Sequence, residues 1–163
     1  MGYRSEVKYV IKDATDTGKL KDYISYLILQ NDDNINEALS ELKVSPDYNY
    51  IFFESDWTKW YTEYESVQAH TKILSFDFNY FTNEDSKLIF NSLFIRIGED
   101  NADIENETYS TIDKYEDVNS FDSNASEECS NELLDVLNIS RHINMNYDHK
   151  LIEFKNLETN NEN

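Results

Sequence analysis

The chain has 163 residues, enough for one domain with its own core, and a 39% hydrophobic content with 12 Tyr, 9 Phe and 2 Trp excludes a wholly disordered polymer. A net charge of −19 opposes direct binding to a phosphate backbone, where affinity comes from Lys and Arg. The single cysteine, Cys129, excludes an intramolecular disulfide and any multi-cysteine zinc site within one chain, and no apolar run approaches the roughly 18 to 20 residues of a membrane-spanning helix.

In chain order, Tyr3 to Ile11 alternates, with Tyr3, Ser5, Val7, Tyr9 and Ile11 on one face, which predicts a strand. From Lys19 to Gln30, Leu20, Tyr23, Ile24, Leu27 and Ile28 recur at helical spacing. Asn34 and Glu37 have capping-box spacing and predict a short helix capped by Asn34 and running to Lys43, ended by Pro46 and Asp47. Tyr48 to Trp57 is dense in aromatic and β-branched residues and predicts a central strand covered on both faces. The spacing of Trp60, Tyr64, Val67, Thr71 and Leu74 predicts a helix over Thr62 to Ser75. Leu88 to Gly98, Leu137 to Met145 and a short piece at Leu151 to Phe154 predict three further strands.

That order of elements predicts an α+β fold: a mixed or antiparallel sheet with helices on one face, with the ferredoxin-like split βαβ as the first candidate. Residues 1–155 are expected to form one domain with a long acidic insertion at 99–135, followed by a disordered polar tail at 156–163.

Charge is unevenly spread. Residues 1–98 carry 16 acids against 10 Lys or Arg, whereas residues 99–163 carry 17 against 4. From Glu99 to Asp135 there are 13 acids and one base, Lys114. The acids are Glu99, Asp100, Asp103, Glu105, Glu107, Asp113, Glu116, Asp117, Asp122, Glu127, Glu128, Glu132 and Asp135, and Tyr109, Ile112, Tyr115, Val118 and Phe121 are interspersed every three residues. One expectation is a solvated loop, the usual fate of a charge block. The sharper one places the acids on an ordered scaffold, where carboxylates stand where phosphates would and meet the Arg and Lys of a nucleic-acid-binding protein. Every acid of this stretch up to Glu128 is a candidate partner-binding residue. A calcium loop fits poorly: Asp117, Asn119 and Glu128 fall at ligand positions, but Phe121 and Asp122 replace an oxygen ligand and the turn glycine.

Catalytic signatures are missing. His70, His142 and His149 have no ligand or nucleophile at useful spacing, and Cys129 among Glu127, Glu128 and Glu132 disfavours a thiolate. With three glycines there is no P-loop or dinucleotide pattern, so the expectation is a non-enzyme without cofactor or metal. Trp57, Trp60, Tyr61 and Tyr64 read as core or interface aromatics rather than a base-stacking platform.

Three stretches together carry a resemblance. The opening Met1-Gly2-Tyr3-Arg4-Ser5-Glu6-Val7, the segment from Lys59-Trp60-Tyr61 through Tyr64, Val67 and His70, and Phe94-Ile95-Arg96-Ile97-Gly98-Glu99-Asp100 resemble a family of small, uncharacterised tailed-phage proteins. The region after Gly98 is longer here than in that family's pattern. An abundance of Asn (19) and Ile (14) against 5 Ala, 3 Gly and 1 Pro suits an AT-rich genome. The resemblance implies a phage setting in the cytoplasm of an infected bacterium. With the acidic stretch, it leads to the expectation of an inhibitor of the anti-CRISPR or anti-restriction type, a DNA mimic in its strongest form, that binds a basic host protein and neither nucleic acid nor membrane. The alternative is a phage accessory or structural binding module without inhibitory action.

Overall fold

The computed structural model describes residues 2–78, 80, 89–100 and 102–111 in full, and the backbone of 137–138, 144–145 and 152–153. Its elements run β1 (Ser5–Asp13), α1 (Leu20–Leu29), α2 (Asp33–Ser40), β2 (Lys43–Val44), β3 (Tyr50–Thr58), α3 (Glu65–Ser75), β4 (Phe90–Gly98), β5 (Ile104–Ser110), β6 (Leu137–Asn138), β7 (Asn144–Met145) and β8 (Ile152–Glu153).

Strands β5-β4-β1-β3-β2-β8 form one sheet in that order, and every neighbouring pair is antiparallel. Within it, β4-β1-β3-β2 with helical crossovers from β1 to β2 and from β3 to β4 is the split βαβ arrangement. The fold is therefore α+β with an antiparallel sheet. To this core β5 is added at one edge by a hairpin and β8 at the other.

The helices share one face because the strand pattern leaves them a continuous apolar floor. Val7, Tyr9 and Ile11 of β1, Ile51 and Phe53 of β3, and Phe90 and Phe94 of β4 join the buried helix residues Leu20, Tyr23, Leu27, Leu39 and Ile73 in one core. The opposite face buries Val10, Phe52, Leu93 and Ile95 as well, as suits central strands.

Local devices set the helix starts. Lys19 offers α1 no side-chain cap, so the buried carboxylate of Asp13 at the end of β1 accepts from Lys19 N (2.8 Å) and Thr15 N (2.8 Å) instead. Gly18 adopts φ +72° there, and a Cβ would stand 2.7 Å from the Asp47 carbonyl, so only glycine closes this turn. The cap of α2 is Asp32, whose side chain accepts from Asn34 N and Ile35 N; the expected Asn34 is already helical. Asp32, two residues before Asn34, is itself a favoured N-cap type, and its carboxylate reaches the free N–H groups of a first turn that starts earlier than the Asn34–Glu37 spacing suggests.

Leu137 to Met145 is not one continuous strand of the main sheet. Leu137 pairs with Met145 and Asn138 with Asn144 in a separate two-stranded sheet. The physical reason is that period-two alternation is the same for one long strand and for two short strands paired with each other, so pattern alone does not separate them. In the acidic segment, residues 99–100 and 102–111 build the β4–β5 turn and the edge strand β5, which went unanticipated; residues 112–135 and the tail at 156–163 lie outside the described residues.

Candidate functional site

The helix layer covers β1, β3 and β4, and beyond it β5 extends the sheet floor, with no helix above its outer side among the described residues. The result is a cleft of about 480 Å³ between β5, α3 and the connection that precedes α3. Register places its floor: Phe94 lies beside Glu107, Arg96 beside Glu105, and Ser92 beside Tyr109, so the alternate residues Glu105, Glu107 and Tyr109 of β5 share the helix-facing side. Val67, Thr71 and Leu74 of α3 form one wall, and Trp60, Tyr61, Thr62 and Glu63 another, with Tyr3 and Asp103 closing an end.

Arg96 organises the acids. Its guanidinium donates to both Asp103 oxygens (3.0 and 2.8 Å), from Nε to Glu105 Oε2 (2.9 Å), and to Ser5 Oγ (3.1 Å). Such a bidentate, charge-assisted set holds Arg96 even more firmly protonated than usual and pulls the Asp103 carboxyl down to about 2. The Tyr3 hydroxyl donates to Asp103 Oδ2 (2.6 Å), which raises the phenol's own pKa because ionisation would set two negative groups side by side. Gly98 lies beneath this meeting point, and a Cβ there would strike both the Tyr3 hydroxyl and the Asp103 carboxylate. The Tyr109 hydroxyl donates to Glu107 Oε2, and burial, then Glu107, raises its pKa.

The cleft is thus lined by one guanidinium already engaged and four carboxylates, Glu63, Asp103, Glu105 and Glu107. Glu63 and Glu107 have no ion pair among the described residues. Aromatic rings of Trp60, Tyr61, Phe94 and Tyr109 border the same space. Carboxylates beside aromatic rings attract a cation, by Coulomb energy and by the ring quadrupole.

Of the acids singled out in the sequence, the structure brings Asp103, Glu105 and Glu107 together. Glu99 instead accepts from Arg4 N (2.8 Å), and Asp100 tightens the turn by accepting from Ala102 N (3.0 Å). Asp113, Glu116, Asp117, Asp122, Glu127 and Glu128, together with Cys129, His142 and His149, lie outside the described residues. Glu63, Arg96 and Tyr61 were missed as site residues, although the alternation of Leu93, Ile95 and Ile97 already implied that Phe94 and Arg96 share the other face.

His70 is buried and pairs its Nδ1 with the Tyr9 hydroxyl at 2.8 Å, while its Nε2 lies 3.7 Å from Glu41 Oε2. Trp60 packs on Phe53, Phe94 and His70, with centroids 5.8, 5.9 and 5.6 Å away, and so belongs to the core as well as to the cleft wall. Trp57 is exposed, and Tyr61 meets Tyr64 edge to face at 5.2 Å. Among the described residues no group of three or more His, Cys, Asp or Glu is placed to hold a metal ion, and no helix is long and apolar enough to cross a membrane.

Comparison with models of known protein families, with curated proteins and with solved structures gave no match. The fold and the side chains of the cleft are accordingly the ground for a functional reading.

Proposed function

We propose that this chain is a non-enzymatic binding protein that docks on a basic surface of a bacterial nucleic-acid-handling or defence protein and keeps nucleic acid away from it. The phage setting and the host cytoplasm come from the resemblance in the three sequence stretches. The observation that carries the reading is the placement of Glu105 and Glu107 on a folded strand, on one side of a cleft whose only described cation is already neutralised. Carboxylates held this way require less backbone ordering on pairing than those of a flexible tail, and they offer Arg and Lys of a partner what a phosphate row offers. The overall charge of −19 adds long-range steering toward a basic surface.

The test begins with capture of partners from a host lysate and continues with the purified partner. Its affinity for the wild-type chain should fall steeply between low and high salt, and duplex nucleic acid should compete. The double variant Glu63→Lys with Glu107→Lys should weaken binding by at least about tenfold, roughly 1.4 kcal/mol. Reversal of Asp103 or Glu105 is the poorer probe, because either change sets a cation against Arg96 and disturbs the fold. A partner that binds this chain and nucleic acid at the same time removes the inhibitory reading.

A further inference from the structure

Strand β5 ends the six-stranded sheet and pairs only with β4 among the described residues. Its Ile104 side chain is 57% exposed, and Asn106, Glu107 and Thr108 are exposed too. An edge of this kind presents backbone N–H and C=O groups to any extended chain that can lie beside it.

We propose that the outer edge of β5 accepts an extended basic segment of the partner as an added strand, with every second side chain of that segment, an arginine or lysine, turned into the cleft beside Glu105 and Glu107. This rests on the reading of the partner as basic, and it specifies how that partner is held. Three features support it. First, a strand added to an edge sets side chains directly across from those of β5, with Cβ atoms about 4.5 to 5.5 Å apart, so the two-residue spacing of Glu105 and Glu107 matches alternate cations. Second, Glu105 is shared with Arg96 while Glu107 has no cation among the described residues, so the pairing centres on Glu107. Third, the cleft has room for the long side chain of an arginine against the rings of Trp60 and Tyr61.

Charge also selects the occupant. A second copy of β5 at this edge would set acid against acid, and like charges directly across a strand pair are destabilising. The carboxylates that discourage self-association therefore favour a basic strand.

The probe is a short peptide in which arginine alternates with valine or threonine, titrated against the full chain by calorimetry and followed by amide hydrogen exchange. Its controls are a peptide of equal composition with contiguous arginines, and two N-methylated versions, each blocking the N–H groups on one edge. The alternating peptide should bind and protect outward-facing amides within 104–109. One of the two N-methylated peptides should bind at least about tenfold more weakly, and so should the alternating peptide with Glu107→Lys. Equal affinity for all the peptides overturns strand addition and leaves recognition by charge intact, and no binding by any of them overturns it as well. Edge-specific binding that the captured partner cannot displace supports strand addition and removes the functional reading instead.

Discussion

Two polar clusters stand on the same face of the sheet, separated by a single indole. On one side of Trp60, Tyr9 and His70 are sealed among Phe53 and the helices; on the other, Arg96 and its acids open to a cleft. Both clusters use side chains that sequence readers associate with function. Their roles part because Tyr9 lies on a central strand beneath the helix layer, whereas Glu105 and Glu107 lie on an edge strand past it. A buried hydrogen bond makes one native packing unique, while a half-exposed carboxylate keeps the capacity to bind something else.

The comparison breaks if the sealed pair proves dispensable for stability. His70→Ala removes a buried ring and leaves the Tyr9 hydroxyl without its partner, so unfolding in urea should show a loss of about 2–4 kcal/mol. Binding by the variant, measured where it is still folded, should match wild type. A variant with unchanged stability but impaired binding would assign His70 to the site.

Next in size is Arg96→Met, expected to cost about 1–2 kcal/mol because a hydrogen-bonded hub is lost, discounted for partners that remain partly in water. Arg96→Lys should recover only a part, since an ammonium cannot reproduce the two-pronged contact with Asp103. If Lys restores full stability, the forked geometry seen at Asp103 is not what matters.

The Asp103 cluster also predicts a pH dependence with a definite sign. A carboxyl whose folded pKa is depressed, here from 3.8 to about 2, stabilises the fold at pH values above its unfolded pKa. That contribution is lost as pH falls through the window from about 4 to about 2. Acid titration of wild type beside Arg96→Met should give a shallower loss in the variant over that window, and parallel curves would refute the coupling.

The smallest effect concerns Gly98→Ala. The nearest atoms that the added methyl group meets belong to the side chains of Tyr3 and Asp103, so the two should separate with a slight fall in melting temperature, and the Tyr3 phenol should titrate nearer its ordinary pKa in a spectrophotometric titration. An unaltered phenol titration would mean that the contact re-forms around the methyl group.

Helix α1 was legible because Leu20, Tyr23, Ile24 and Leu27 bury one stripe, and β3 because its aromatic run suits a strand enclosed on both sides. Edge strand β5 was not, since its sequence, Ile104 to Ser110, has no clean apolar alternation and its acids looked like a charge block. A strand at an edge draws its order from the neighbour it pairs with, here β4, and that pairing is invisible along the chain.

The sequence by itself determined the α+β class, the apolar faces of the main helices, the central strands and the position of the negative charge. These follow from local periodicity and composition, which depend on residues a few places apart. Only the tertiary structure decided which acids converge, because Asp103 and Glu105 meet Arg96 across a hairpin while Glu63 and Trp60 reach the same cleft from a distant loop. It also decided that His70 is sealed against Tyr9, 61 residues away in the chain. Contacts at such separations are set by strand order and register, and no local pattern encodes them.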